Sequence, residues 1–156
     1  MSANLAGTVF LLLGLGVSYY GYRLIRKARA SSEWPAAQGQ IESSTVDVEK
    51  ERERDSDGDV HYETKYIPRI VYRYQVEGTD YYGDQISFGN TSSSSPNWAY
   101  RIKDQYSPGM EVAVYYDPAN PQEAVLQPGA RWTTYIVLGI GAAFALTGVL
   151  ILTSVF

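Results

Sequence analysis

Two stretches without a single Lys, Arg, Asp or Glu, residues 5–22 and 132–156, bracket a polar, tyrosine-rich centre. No other feature narrows the possible folds as much. About 20 apolar residues at 1.5 Å rise cross a hydrocarbon core of roughly 30 Å, so each stretch is expected to form a transmembrane helix. A secretory signal would imitate the first, and Ala28-Arg29-Ala30 resembles a small-x-small cleavage site. A signal, however, carries its positive charge ahead of the apolar run. Here residues 1–7 hold no Lys or Arg, while Arg23, Arg26, Lys27 and Arg29 follow the run, which favours a retained helix.

The same four residues set the expected topology, because Lys and Arg near a membrane end stay on the cytoplasmic side. Arg131, just ahead of the second stretch, agrees. The expected organisation is a transmembrane helix with a basic end over 1–30, a soluble β-rich domain over 31–130 and a second transmembrane helix over 131–156. Residues 31–130 are then cytoplasmic, both termini lie outside, and the setting is a plasma (inner) membrane. Tyr19, Tyr20, Tyr22, Trp34, Trp132 and Tyr135 are expected at the lipid interface.

Charge narrows the partners. All 17 acidic residues fall between Glu33 and Glu123, so the soluble part is strongly acidic beside a basic collar. Phosphate backbones repel such a surface, and nucleic acid is not an expected partner. The chain has no cysteine, which removes disulfides, thiolate nucleophiles and zinc-thiolate sites.

Within the centre, Gly39 to Val48 is rich in β-branched residues and reads as a strand. Glu49 to Val60 is a charged run, expected as a solvated hairpin loop or a frayed extension of the strands. From Tyr66 to Val76 the alternation sets Ile70, Tyr72 and Tyr74 on one face and Val71, Arg73 and Gln75 on the other. Glu77-Gly78 is a turn, and Tyr81 to Phe88 is its returning strand. Ser95-Pro96 starts a short helix with Trp98, Ile102 and Tyr106 spaced by four. Glu111 to Tyr116 is a further strand, and Asp117, Pro118, Asn120 and Pro121 form a rigid turn before a last strand over Glu123 to Gln127. The expected fold is an α+β membrane protein, two transmembrane helices flanking a small antiparallel β-barrel or curled sheet with one short helix.

Several of these positions together, Trp34-Pro35, Gly39-x-Ile41, Tyr72-x-Tyr74-x-Val76-x-Gly78, Tyr82-Gly83, Tyr106-x-x-Gly109, Tyr116-Asp-Pro-x-Asn-Pro121 and Ala124-x-Leu126-x-Pro-Gly129, carry a resemblance. The chain resembles the DUF3592 family from Trp34 to Gly129. That resemblance implies a β-domain flanked by membrane helices, and it supplies no activity, catalytic residue or ligand.

Candidate chemistry is sparse. Asp55, Asp57, Asp59 and His61 offer oxygen and nitrogen donors, but a calcium loop of the EF-hand type needs glycine sixth and an acid twelfth, where Gly58 is fourth and Tyr66 twelfth. A charged loop is the simpler reading. Asp117 is read as a turn acceptor, and Ser92 to Ser95 as capping and turn residues. No metal, cofactor or catalytic residue is expected, and the chain is not read as an enzyme. Tyr62, Tyr66, Tyr81 and Tyr100 lack a pattern that would place them inside, so they are candidate surface contacts.

Small residues give the apolar segments a pattern. Gly7, Gly14, Ser18 and Gly21 share one stripe, and Thr134, Gly141, Ala145 and Gly148 share another. Such stripes allow close helix contact, and a seven-residue period matches left-handed packing. Gly139 and Ala143 lie on a different face that would admit a second neighbour. Besides the lipid bilayer, the expected partner is another membrane protein or a homo-oligomer. Function is read as a non-enzymatic accessory or assembly subunit whose acidic β-domain makes protein contacts with a membrane complex or with itself. The alternative is a membrane-tethered sensor or ligand-binding module.

Overall fold

A computed structural model describes residues 3–54, 60–89 and 92–154. It divides into two compact units, one made of residues 1–33 and 129–156, the other of residues 34–128. Two helices, α1 (Ala3–Ala30) and α3 (Ile136–Thr153), build the first unit, with a short 3-10 turn, Trp132–Tyr135, leading into α3. Both are long and apolar enough to cross a membrane, and less than a fifth of either apolar window is buried. The core helix of a soluble protein would be mostly covered.

In the second unit five strands form one antiparallel sheet: β1 (Ala36–Arg54), β2 (Val60–Val76), β3 (Thr79–Gly83), β4 (Glu111–Asp117) and β5 (Asn120–Val125). The spatial order is β3-β2-β1-β4-β5. The barrel or curled sheet expected from the sequence is therefore wrong. The sheet is open, with β3 and β5 as edges that share no backbone ladder. Closure needs edge strands long enough to pair in a consistent stagger. The returning strand stops at Gly83 rather than Phe88, and β5 is six residues with Pro121 near its start, where proline forfeits a ladder donor.

Of the two readings of the charged run, extension of the strands is the one the register supports: β1 and β2 stay paired from Val46↔Pro68 out to Arg54↔Val60. Asp55 to Asp59 lie outside the described residues, as does the side chain of His61.

Alternation explains the core. Ile70, Tyr72 and Tyr74 are fully buried, joined by Ile41, Val114 and Ala124 from β1, β4 and β5. Gly83 stands opposite Tyr72, and a β-carbon there would strike the ring at 2.6 Å, so the glycine makes room for it. The Tyr72 hydroxyl lies 2.8 Å from the Ala124 carbonyl and 2.9 Å from that of Gln85, and shares its one proton between them. Tyr74 donates to the Pro121 carbonyl. β2 is thus fastened to β5 by side chains, where no ladder joins them.

The Val76-Glu77-Gly78-Thr79 turn has both central residues at positive φ, 50° and 80°, the two-residue connection whose twist suits a hairpin. Helix α2 (Pro96–Asp104) packs on β1 and β2 with Ala99 buried, and Ser44 on β1 donates to the Lys103 carbonyl at 3.0 Å. The half-buried Trp34 sets its ring edge-on to Phe88 in the β-unit, 5.8 Å between centroids.

Burial, then the neighbouring Tyr74 and Asp84, raise the Tyr72 phenol far above its usual range, and burial followed by Tyr81 raises Tyr74. A phenol raised by folding contributes stability fully below its unfolded value of about 10, and loses it as pH climbs past that value. Unfolding followed by circular dichroism is expected to show Tyr72→Phe less stable by about 1–2 kcal/mol at neutral pH. Above about pH 10 that gap is expected to narrow; a constant gap would contradict this account.

Candidate functional site

The helix pair holds the most constrained geometry in the chain. Leucine-sized neighbours normally keep helix axes 8–10 Å apart, and only residues without a side chain let backbones touch. At Gly14 an added β-carbon would collide with the backbone nitrogen and Cα of Ala145 and lie 2.8 Å from the Gly141 carbonyl. At Gly141 it would meet the Ser18 nitrogen at 2.5 Å, and at Gly148 the Leu11 nitrogen at 2.5 Å. Gly21 faces Leu138, and Gly7 faces Leu152 and the Gly148 carbonyl. These pairings descend along α3 as they rise along α1, so the helices are antiparallel. Phe10 and Phe144 stack beside the seam, 5.8 Å between centroids.

Thr134 is fully buried in the 3-10 turn, which itself packs against α1, and its hydroxyl accepts the Arg131 N–H at 3.1 Å. Gly16 and Gly139 have nothing within 4 Å of an added β-carbon, and Ala143 is exposed. The outer faces carry Leu12, Leu13, Leu15, Leu146 and Leu150, all more than half exposed.

One end of the pair is polar. Arg23 and Arg26 are exposed, Lys27 is half-buried, and the Arg29 guanidinium donates to the Tyr135 hydroxyl at 3.1 Å while lying 5.8 Å from the centre of that ring. Tyr19, Tyr20, Tyr22 and Trp132 are exposed at the same end, next to the charges. The residue that sequence reasoning missed is Ser31. Fully buried, its hydroxyl donates to the Ala28 carbonyl at 2.7 Å and accepts the Gly129 N–H at 2.8 Å. It clasps the segment leaving α1 to the segment entering α3 across 98 residues of sequence. A serine just past a helix gives no sequence signal for such a partner.

In the β-unit the Asp117 carboxylate accepts the Ala119 N–H at 2.9 Å across a turn at Pro118-Ala119, and Asn120 and Pro121 open β5, with Asn120 paired to Asp117. Ser93 pairs its backbone with Tyr66 and its hydroxyl accepts the Ser95 N–H at 3.1 Å, while Ser95 caps α2 without a side-chain bond. Tyr62 and Tyr100 are exposed, Tyr66 is half-buried, and Tyr81 stacks on Tyr74. Tyr82, 63% exposed, belongs with the surface set and was not singled out by pattern. A half-open cleft of about 300 Å³ lies among Ile67, Arg69, Asp84, Gln85 and Ser87. Among the described residues no three His, Asp or Glu side chains converge as metal ligands would.

A family model described as a domain of unknown function (DUF3592) matches residues 37–131, more than half of the chain. No curated protein matches.

The seam predicts a paired contrast. Gly14→Ala and Gly141→Ala are expected to lower stability in detergent by about 1–3 kcal/mol through overpacking. Gly16→Ala and Gly139→Ala, with open space, are expected to be neutral or to stabilise by up to about 1 kcal/mol through helix propensity. Thermal melts of the four variants check this, and equal shifts for both pairs would contradict the seam.

Proposed function

The chain belongs to the DUF3592 family, and within it we propose that it serves as a non-enzymatic, membrane-anchored assembly subunit. The helix pair spans the bilayer, residues 31–130 face the cytoplasm, and the acidic β-domain makes the contacts with another membrane protein or with a second copy. One observation carries this reading: the seam between α1 and α3 is closed while the leucine-rich outer faces stay uncovered. Several exposed large apolar side chains per helix are costly in water and free of cost in lipid.

Orientation is supported by the basic residues Arg23, Arg26, Lys27 and Arg29 gathered with Arg131 at one end of the antiparallel pair. The buried tyrosine hydroxyls of the β-domain are spent on backbone carbonyls, so they hold the fold rather than a substrate. A sensor would need a deep apolar chamber with a few polar groups. Of two clefts, the one of about 300 Å³ beside Asp84 is lined mainly by polar groups, and the one of about 350 Å³ along Ala36, Ala37, Val112 and Ala113 is mainly apolar but wide open, so neither is an enclosed chamber.

Because the chain has no cysteine, single cysteines report topology cleanly. In intact cells, Asn4→Cys is expected to react with a membrane-impermeant maleimide and Tyr82→Cys only after permeabilisation. The reverse pattern would overturn the orientation, and reaction of both in intact cells would overturn the two spans.

A further inference from the structure

The outer part of β1 sorts its charges by sign, while β2 adds Glu63, Lys65 and Arg69 to the face that bears the acids. Along Val46-Asp-Val-Glu-Lys-Glu-Arg52 acids alternate with apolar or basic residues, and strand periodicity sends them to opposite faces. Register completes each face. Val48 pairs with Tyr66, Lys50 with Thr64 and Arg52 with Tyr62 on the face that continues outward from Ile70 and Tyr72. Asp47 pairs with Ile67, Glu49 with Lys65 and Glu51 with Glu63 on the other. This ribbon lies beyond β3 and β4: β4 stops opposite Gln40, β3 stops opposite Tyr72, and among the described residues a single backbone bridge, from Ser93, reaches Tyr66.

Edge protection explains why a two-stranded ribbon is charged, but not why the signs are separated. Separation costs local stability, since Glu51 directly opposes Glu63 and Glu49 adjoins Glu51 on one face. Lys65 pairs with Glu51 and Arg69 with Asp47 on the acidic face. Among the described residues Lys50 and Arg52 make no ion pair, and both are exposed beside Tyr62, itself 67% exposed.

We propose that this ribbon is a self-association surface on which the basic, tyrosine-bearing face of one copy docks on the acidic face of a second copy. The charge complementarity is supplied by one element of one chain. Contact between two different faces is head-to-tail, so it builds rings or rows rather than a closed pair. Each face is about 20 Å long and two strands wide, short of the roughly 800 Å² per partner of a stable complex. Anchoring in a shared bilayer raises the effective concentration that this small contact needs. The inference therefore rests on the membrane-anchored reading above and names the partner of the β-domain.

The test uses the full chain in neutral-lipid vesicles, with donor and acceptor dyes on separate copies through Ser154→Cys. Raising salt from about 0.01 to about 1 M shortens the Debye length from about 30 to about 3 Å, and energy transfer is expected to fall about twofold or more; transfer indifferent to salt overturns the proposal. Lys50→Glu with Arg52→Glu leaves both faces acidic. Glu49→Gln with Glu63→Lys neutralises the other face and removes the Glu51–Glu63 opposition, so the ribbon stays intact. Each variant alone is expected to lose transfer, and a mixture of the two to regain it; undiminished transfer or an unrescued mixture overturns the docking. A chain that stays monomeric in vesicles yet co-purifies with another membrane protein in fixed ratio overturns this inference and leaves the assembly function standing.

Discussion

Two helices in lipid gain little by hiding leucine from a solvent as apolar as leucine, so what holds them is how closely their atoms approach. In this chain the two backbones come into direct contact at the glycines. Glycines at seven-residue spacing on both helices let the backbone of α1 lie against the backbone of α3, with Gly14, Gly141 and Gly148 each barred to any β-carbon. The antiparallel seam brings the end of α1 beside the start of α3, and Ser31 and Gly129 then meet through one buried hydroxyl. The chain leaves for the β-domain three residues after Ser31 and returns one residue before Gly129. Pinning both ends of a 97-residue excursion removes loop-closure entropy that the β-domain would otherwise have to overcome on its own.

The β-domain solves a different problem with a different residue. An open five-stranded sheet leaves its edge strands unpaired, and here tyrosine spans the gap that backbone ladders do not. Tyr72 and Tyr74 bring both ring area and a hydroxyl, and each hydroxyl ends on a carbonyl of β5 or of the segment after β3. The abundance of tyrosine is thus divided. Some tyrosines are structural cross-braces, some sit with the basic end of the helix pair, and a few, such as Tyr62 and Tyr82, stand on the surface.

How much of this could be read beforehand depended on the range of the interaction. Alternation placed Ile70, Tyr72 and Tyr74 inward, the Glu77-Gly78 turn was set by two residues, and Ser95-Pro96 opened α2, all local matters. The family resemblance held because its positions are turns and core residues spread across the whole domain. Sheet closure could not be read, since it depends on whether β3 and β5, which do touch, also pair along a backbone ladder, a matter between distant segments decided by where each strand stops. Loop and strand extension could not be told apart in the charged run because hydrophobic periodicity is blind to it; the period of two survives in the sign of the charge, Glu49, Lys50, Glu51, Arg52. The contact of Trp34 with Phe88, more than fifty residues away, likewise gave no local signal.

The account stands or falls on the pairing of α1 with α3 inside one chain. Cysteines in place of Phe10 and Phe144, whose rings stack at 5.8 Å, can be joined by a short thiol-to-thiol crosslinker in native membranes, with Leu13 and Leu146 from the exposed faces as the control pair. The account predicts that the first pair yields an intrachain crosslinked peptide by mass spectrometry and the control pair does not. Crosslinks formed only between chains, or formed as readily by the control pair, would contradict it.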